Sequence, residues 1–360
     1  MLGRIVTALM LSAALLIPTP AHAVGDFDPP VTVIDPGCDN ATVVADAVGG
    51  PDGKAYGFAR FSGAGCTHDI WYFEGAGNTW TSEVSPYRGR LLAVAHDGTA
   101  TYLLYTDGRN TRITKRAGGQ FTPGRVLGGD TDGGDVIAAG GKWWATWVEG
   151  GGYVYQAKTI GFAMLRRLAT DIGDRPVFLY GPETVPLSLA ARPGGGAVLV
   201  IGCCEWSNMW GTWTGFQVLV SDDGEWVPRF EYGNQDQEWD TNVWAPQVAT
   251  AGRVTWLAWT LEGQVRVSRN RTGRFVERKF AVGGESPRLA ASEGKAFAAW
   301  AGWENPAGVF LAEEAPDGTW TGTWVSPVSG SHRLAALAAT GGKATILTMT
   351  ATSLDARSQR

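Results

Sequence analysis

Two tryptophan-rich segments, residues 202–215 and residues 233–245, carry the side chains of this chain that are best suited to bind a sugar. Indole faces stack on the apolar side of a sugar ring, and carboxylates accept hydrogen bonds from its hydroxyl groups. The same combination also suits an organic cation. The candidate ligand-binding residues are Trp206, Trp210, Trp213, Trp239, Trp244, Glu205, Asp236, Glu238 and Asp240. The alternative interpretation is that these tryptophans cap an exposed sheet edge and that the acids are solvated.

A second set of residues would be needed if the chain were an enzyme. Three arginines each begin a predicted strand, and guanidinium groups bind a carboxylate through two parallel hydrogen bonds. Nearby acids could then act as general acid and base, with a tyrosine as nucleophile. These candidate catalytic residues are Arg90, Arg288, Arg333, Tyr232, Asp236 and Glu238. A glycosidase or a polysaccharide lyase is therefore the enzymatic alternative to a binding protein, and a protein-interaction scaffold is the second alternative.

Several other classes of function lack support in the sequence. The formal net charge of -5 argues against a nucleic acid partner, because such proteins usually carry a basic face. The chain has no zinc-ligand spacing and no nucleophile elbow, so we expect neither a metal nor another cofactor. The acidic run at residues 130–135 resembles part of a calcium loop but lacks the closing Glu, which favours a simple acidic turn. We expect a monomer.

The elements that position these residues come from one repeated sequence motif. The motif consists of an apolar run that contains a small residue, a Gly, and a second strand-like run. Its spacing lies in the range of propellers and other repeat arrays. The apolar run of the motif occurs seven times, at residues 43–48, 91–95, 136–139, 187–190, 246–249, 288–291 and 333–336. Each repeat is interpreted as four antiparallel strands. The sequence therefore predicts an all-β, seven-bladed β-propeller, with six blades as the alternative.

The sixth repeat shows the predicted strands most clearly. They cover residues 288–292, 295–300, 309–313 and 319–325, separated by turns centred on Gly and by a short loop. The last repeat supplies only two clear strands. The segment at residues 31–36 resembles the fourth strands of other repeats, and it is therefore predicted to complete the last blade, which removes an open sheet edge.

The connections between second and third strands lie on the same face of a propeller as the connections between blades. The two tryptophan-rich segments are therefore predicted to meet on that face, between the fourth and fifth blades. Cys38 and Cys66 are predicted to lie on the same face. Two pairings stay open, Cys38–Cys66 with a bond between the adjacent Cys203 and Cys204, or cross-pairing between the two sets.

The first 23 residues have the features of a secretory signal. Arg4 precedes an apolar stretch, and Ala21-His22-Ala23 forms a small-residue cleavage site. Residues 24–360 are predicted to form one propeller domain, secreted to the extracellular space. No later apolar run is long enough to span a membrane. A glycan or cell-surface polysaccharide is the expected partner, and a protein partner is possible.

Two degenerate turns and one strand resemble the sialidase-type BNR (Asp-box) propeller superfamily. The turns are Ser221-Asp222-Asp223-Gly224-Glu225-Trp226 and Pro316-Asp317-Gly318-Thr319-Trp320, which are shortened forms of the family's Asp box. The strand at residues 90–99 begins with Arg90, as the first inner strand of that family does. The resemblance covers most of the chain as architecture. It implies a propeller fold, and an arginine cluster that binds a carboxylate.

Overall fold

The computed structural model describes most of the chain after residue 26. The described residues are 27–38, 41–67, 69–131, 133–139, 141–149, 153–158, 166–168, 187–208, 211–221, 226–232, 243–270, 275–302, 308–325, 333–350 and 352–360. The predicted signal segment lies outside them. Within these ranges no helix is long and apolar enough to cross a membrane.

The described residues form strands that pair with one another in antiparallel fashion. The first half of the chain contains β1 (Val31–Ile34), β2 (Thr42–Gly49), β3 (Ala55–Ser62), β4 (Asp69–Ala76), β5 (Thr79–Arg88), β6 (Arg90–His96), β7 (Ala100–Thr106), β8 (Asn110–Ala117), β9 (Gln120–Phe121), β10 (Arg125–Gly129), β11 (Gly134–Ala139), β12 (Lys142–Glu149), β13 (Tyr153–Lys158) and β14 (Arg166–Leu168). The second half contains β15 (Leu187–Ala191), β16 (Ala197–Asn208), β17 (Gly211–Ser221), β18 (Val227–Tyr232), β19 (Val243–Ala251), β20 (Val254–Leu261), β21 (Gln264–Asn270), β22 (Phe275–Ser292), β23 (Lys295–Gly302), β24 (Gly308–Glu314), β25 (Trp320–Trp324), β26 (Arg333–Thr340), β27 (Lys343–Met349) and β28 (Leu354–Ser358). The all-β fold class is thus confirmed.

Most sheets are meanders of consecutive strands. Four of them have the orders β2-β3-β4-β5, β10-β8-β7-β6 with β9 beside β8, β11-β12-β13-β14 and β15-β16-β17-β18. The longest sheet runs from β19 to β25, and its central strand, β22, belongs to two meanders. Residues up to Gly283 pair with β21, whereas residues from Gly284 onward pair with β23.

The first strand of each meander packs beside the first strand of the next. Contacts join β2 to β6, β6 to β11, β11 to β15, β15 to β19, β19 to β22 and β22 to β26, and β26 contacts β2. The last of these contacts is close. A Cβ atom added to Gly49 would lie 1.9 Å from the carbonyl oxygen of Ala339, so only Gly fits there.

The final sheet combines both ends of the described chain in the order β1-β28-β27-β26. Val31 pairs with Ala356 and Thr32 with Asp355, and an ion pair joins Arg360 to Asp28 at 2.8 Å. The predicted role of the N-terminal strand is therefore confirmed. The third strand, β28, was not recognised in the sequence, because its polar and charged residues hide the alternation.

The core lies between neighbouring sheets, where aromatic side chains of one sheet pack on the next. Trp226 contacts Trp144 with ring centroids 4.9 Å apart, and Trp320 contacts Phe280 at 5.8 Å. Both tryptophans follow connections between third and fourth strands, at the ends of the two segments that resemble a shortened Asp box. The predicted strands of the sixth repeat are also confirmed, except that its first strand is the second half of β22.

A disulfide joins Cys38 to Cys66 and ties the start of the first sheet to the connection between β3 and β4. The two Cα atoms are 5.2 Å apart and the residues are 28 positions apart in sequence. This pairing, one of the two predicted, is confirmed. The backbone of Cys203 and Cys204 is described but their side chains are not, so the bond between them stays a prediction.

Removing this disulfide should destabilise the fold, because the bond restricts the conformations that are open to the unfolded chain. We expect the double substitution Cys38→Ser and Cys66→Ser to lower the free energy of unfolding by about 3 kcal/mol, because the bond closes a loop of intermediate length. Urea unfolding followed by tryptophan fluorescence measures the change. The single variants should lose as much as the double variant, and a double variant as stable as the parent would contradict the expectation.

Candidate functional site

The segment at residues 202–215 is a β-hairpin, where the sequence predicted a loop. Strands β16 and β17 continue past the end of their sheet, since β15 begins opposite Ile201 and β18 ends opposite Phe216. The many glycines and the Asn in this stretch favoured a loop, but the ladder persists to Asn208 and Gly211. The hairpin extends from the face that carries the connections between second and third strands. We call this the upper face, and the opposite one the lower face.

A bulge interrupts the hairpin close to its base. Cys203 pairs with Gly215 and Trp206 with Trp213, so Cys204 and Glu205 together stand opposite Thr214. Such bulges bend a strand and redirect its side chains, and they occur often beside functional sites. Positions 206 and 213 are direct partners across the two strands, and direct partners occupy one face of a ribbon.

Several predicted ligand-binding residues lie outside the described residues. They are Trp210, Asp236, Glu238, Trp239 and Asp240, and Trp244 is described only as part of strand β19. The meeting of the two tryptophan-rich segments therefore stays a prediction.

Tyr232 ends β18 at the base of the hairpin, among aromatic and charged side chains. Its ring packs between Phe216 and Trp259, with centroid distances of 5.2 Å and 4.9 Å. Its hydroxyl donates to Glu277 at 3.4 Å and accepts a hydrogen bond from Arg266 at 3.2 Å. Burial, followed by the charge of Glu277, raises the pKa of Tyr232. The phenolate form that a nucleophile needs is therefore disfavoured.

The three candidate arginines occupy different environments. Arg90 donates to the carbonyl of Thr131, and Arg333 is exposed at the start of β26. Arg288 instead lines a central cavity between the first strands. Of the three, Arg288 alone is among the described lining residues of that cavity, so a cluster of all three at the channel stays a prediction.

Polar side chains of the first strands bridge neighbouring strands across the cavity wall. Asp46 of β2 accepts a hydrogen bond from the backbone N–H of Val94 in β6 at 2.8 Å. Asp135 of β11 accepts one from Leu189 in β15 at 2.6 Å. Ser188 of β15 likewise accepts one from Val248 in β19 at 3.0 Å. Each side chain thus satisfies a donor on the open edge of the next first strand.

Arg288 and Gln247 occupy the register positions in β22 and β19 that correspond to these three residues. We call the five residues Asp46, Asp135, Ser188, Gln247 and Arg288 the channel centre. The cavity beneath it measures about 350 Å³ and runs toward the lower ends of the first strands. This volume is at the small end of the range found for ligand pockets.

Both carboxyls of the channel centre are surrounded by protein yet partly reachable from the cavity. Burial raises the pKa of Asp135 to about 8, and the nearby charge of Asp46 contributes in the same direction. Burial also raises the pKa of Asp46, whereas the charge of Arg288 opposes that rise. A carboxyl that keeps its proton near neutral pH has the property required of a general acid.

The sequence analysis missed the two aspartates of the channel centre. A signal was present, since Asp46 stands between two alanines within an apolar strand and Asp135 precedes Val136-Ile137. Asp is depleted in strands, so such a residue needs a hydrogen-bonding partner. The partner lies in the next repeat, which a single strand pattern does not reveal.

No family model matches this chain, and no curated protein sequence matches it. Solved structures do resemble it. One chain of a mitotic checkpoint complex is 13% identical, with a TM-score of 0.57 and 99% of both chains covered. An α-L-arabinanase of Penicillium chrysogenum, complexed with arabinobiose, is 14% identical, with a TM-score of 0.52 over 80% of this chain and 98% of that chain.

A third similar structure is the extracellular domain of the putative one-component system BT4673 from B. thetaiotaomicron. It is 12% identical, with a TM-score of 0.53, and the match covers 92% of this chain and 40% of that chain. At such identities these likenesses establish the fold alone, which is of propeller type. The finer assignment to the sialidase-type superfamily stays a prediction.

The buried Asp135 should make stability depend on pH. The folded chain keeps its proton up to about pH 8, whereas the unfolded chain loses it near pH 4. The free energy of unfolding should therefore fall as the pH rises from about 4 to about 8, by up to about 1.4 kcal/mol per pH unit. Asp135→Asn keeps an oxygen for the Leu189 N–H and should flatten that slope, as measured by urea unfolding across this range.

Asp97 provides a control with the opposite sign. Burial would raise its pKa, but hydrogen bonds from Thr99 and Ala100 outweigh burial and lower it to about 2. Asp97→Asn should therefore lose stability at pH 7, and the loss should shrink as the pH falls from about 4 to about 2. For Asp135, the contradicting result would be that the free energy of unfolding of Asp135→Asn and of the parent changes with pH by the same slope between pH 4 and 8. That result would show that the folded structure does not raise the pKa of Asp135.

Proposed function

We propose that this chain is a secreted seven-bladed β-propeller that binds a glycan on its upper face. Support for seven blades comes from the first strands, which contact one another in turn around one cavity, with β22 contributing the last strand of one meander and the first of the next. The mixed sheet of β1 and β26–β28 supports closure through both ends of the described chain.

The projecting hairpin is the observation that carries the glycan proposal. It rises roughly 20 Å beyond its sheet, given the rise per residue of a strand. No other connection between second and third strands in the described residues is built in this way; the one between β20 and β21, for example, is a short turn after Leu261. A ribbon with Trp206 and Trp213 as direct partners offers two aromatic positions on one face, a spacing suited to stacking on sugar rings.

The comparisons favour the same class of ligand. An arabinanase complexed with arabinobiose shares the fold, which supports an oligosaccharide as the ligand of this chain. The Cys38–Cys66 disulfide and the likeness to an extracellular domain support secretion, since disulfides persist in oxidising compartments.

Substitution of the hairpin tryptophans tests the binding proposal. Trp206→Ala and Trp213→Ala should each weaken glycan binding about fivefold, because each removes a stacking surface worth about 1 kcal/mol. A glycan array identifies the ligand, and titration calorimetry measures its dissociation constant. Trp213→Phe, which keeps an aromatic face, is the matched control and should retain most of the affinity.

Two outcomes would count against this site. If both alanine variants bind as the parent does while keeping its thermal unfolding midpoint, the hairpin is not the glycan site. If the parent binds no glycan on the array but captures a protein through the same tryptophans, the scaffold alternative replaces the proposal.

Glycoside hydrolysis is the second candidate, and the channel centre is the observation that favours it. Two carboxyls and an arginine reach one cavity, and Asp135 holds a proton at neutral pH. A glycosidase needs one protonated and one ionised carboxyl on either side of the bond it cleaves. Burial raises the pKa of Asp46 as well, but the charge of Arg288 opposes that rise, so of the two carboxyls Asp46 is the one to test in the ionised role.

Product detection separates the two candidates. If the chain is a hydrolase, reducing ends should accumulate with the glycan that binds best, and Asp135→Asn should lower kcat at least a hundredfold with little change in KM. Asp97→Asn, whose carboxyl lies in a turn away from the channel centre, is the matched control and should keep its activity. Binding without any product, by parent and variants alike, would leave the chain as a binding protein.

A further inference from the structure

A second cavity lies between the fourth and fifth meanders, at the lower face. It measures about 920 Å³, and its described lining residues come from β15 to β22 and their turns. They are Arg192, Pro193, Gly194, Val198, Val218, Val220, Arg229, Thr250, Gly252, Arg253, Thr255, Asn270 and Phe275. We call this cavity the lower cleft. The described lining residues include no residue of the predicted upper-face site or of the channel centre.

The lower cleft exists because one interblade position lacks a large side chain. The second strands of most meanders place an aromatic ring at one register position, and this ring packs against the next sheet. These residues are Tyr56, Tyr102, Trp144, Trp256 and Phe297. The corresponding residue in β16 is Val198, opposite Ala190. Val198 lines the cleft but is only 1% exposed, so the smaller side chain deepens the cleft without leaving an open apolar face at this position.

The neighbouring position on the third strand adds to the opening. In other meanders the ring pairs with a long side chain, as Tyr56 does with Glu74 and Trp256 with Arg269. Val198 pairs with Val220 instead. Together with Val218 these residues give the lower cleft an apolar floor, and the ring of Phe275 forms part of its wall.

Cations surround this apolar floor. Arg192, Arg229 and Arg253 line the cleft, and none of its described lining residues is acidic. Elsewhere between the sheets arginines pair with carboxylates, as Arg266 does with Glu277 at 2.7 Å and Arg269 with Glu314 at 3.1 Å. Arg229 and Arg253 are exposed, and neither has a carboxylate partner among the described residues. The cleft is thus locally basic on a chain whose net charge is -5.

We propose that the lower cleft binds an acidic oligosaccharide, with a sugar carboxylate held by Arg229 and Arg253 and a ring face on Val220 and Phe275, which are partly exposed. Guanidinium groups match a carboxylate through paired hydrogen bonds, and Thr250, Thr255 and Asn270 supply polar partners for hydroxyl groups. The cleft volume suits a ligand of several rings. That the anion is a sugar acid rests on the proposed glycan function, whereas the anion site itself rests on the cleft alone.

Titration calorimetry with trigalacturonate at low ionic strength tests the proposal, with a neutral galactose trisaccharide as the matched ligand. We expect the acidic trisaccharide to bind and the neutral one to bind at least tenfold more weakly. The affinity for the acidic ligand should fall as salt is added, since the contact is electrostatic. Equal affinity for both ligands would overturn the proposal.

The double variant Arg229→Gln and Arg253→Gln should bind trigalacturonate at least tenfold more weakly than the parent. The matched control is the double variant Arg88→Gln and Arg278→Gln, which removes the same charge from exposed positions outside the cleft and should bind normally. Val198→Trp places a ring where other sheets carry one, and it should also abolish binding; its thermal unfolding midpoint, measured alongside, establishes whether the fold is kept. Parent-like affinity in both the Arg229/Arg253 and the Val198 variants would refute the site.

Three further results keep this inference separate from the proposed function. Trp213→Ala should leave trigalacturonate binding unchanged, and loss of binding in that variant would assign the ligand to the upper face. Inorganic sulfate or phosphate that competes as strongly as the acidic sugar would refute a sugar-specific cleft. The sequence places Asp222 and Asp223 in the connection between β17 and β18. The double variant Asp222→Asn and Asp223→Asn tests whether these two carboxylates of the chain itself compete with the ligand for the arginines. If neither that variant nor the parent binds trigalacturonate, the proposal fails.

Discussion

The first strands of these meanders leave one edge without a partner strand, and the arrangement of the sheets depends on how that edge is satisfied. An unpaired backbone N–H buried between sheets is costly, so each must find an acceptor. Asp46, Asp135 and Ser188 supply acceptors across the gap to the next first strand. The same side chains that hold neighbouring strands together therefore bring carboxyl and hydroxyl groups to the central cavity. The need to satisfy backbone donors explains why polar side chains line the central cavity. If these side chains also take part in chemistry, that chemistry uses groups that the fold already requires.

The periodic pattern of the sequence was sufficient to predict most of the meanders, because most strands are short, alternate and end at a Gly-centred turn. The strand at Lys295 begins at the predicted residue, and the N-terminal strand lies in the predicted sheet. The β16–β17 hairpin was not predicted, since Gly202, Gly211 and Gly215 are typical of loops. The ladder there is held by cross-strand pairing from Cys203–Gly215 to Asn208–Gly211, which the local composition does not reveal.

The candidate sites were predicted less completely than the fold, for a related reason. Trp206 and Trp213 were selected as candidates because aromatic residues in a connection are not needed to build a sheet, and their role stays a prediction. Asp46, Asp135 and the lower cleft were missed because each depends on a neighbouring repeat. Val198 is an ordinary strand residue in its own sheet, and its small size matters only beside the rings at the matching positions of other repeats. Comparing corresponding positions across repeats is thus more informative than examining any one strand.

The pairing of β1 with β28 also constrains the order of assembly. Strand β1 is made before the other described strands, yet the strand that receives it lies more than 300 residues later, at Leu354–Ser358. The entropy of joining such distant segments opposes their contact until the intervening sheets have formed and shortened the effective loop. Until residues 354–358 have been synthesised, β1 has no strand to pair with, although β26 can contact β2 once residues 333–340 exist. The sheet that contains both ends of the described chain is therefore the last one that can be completed.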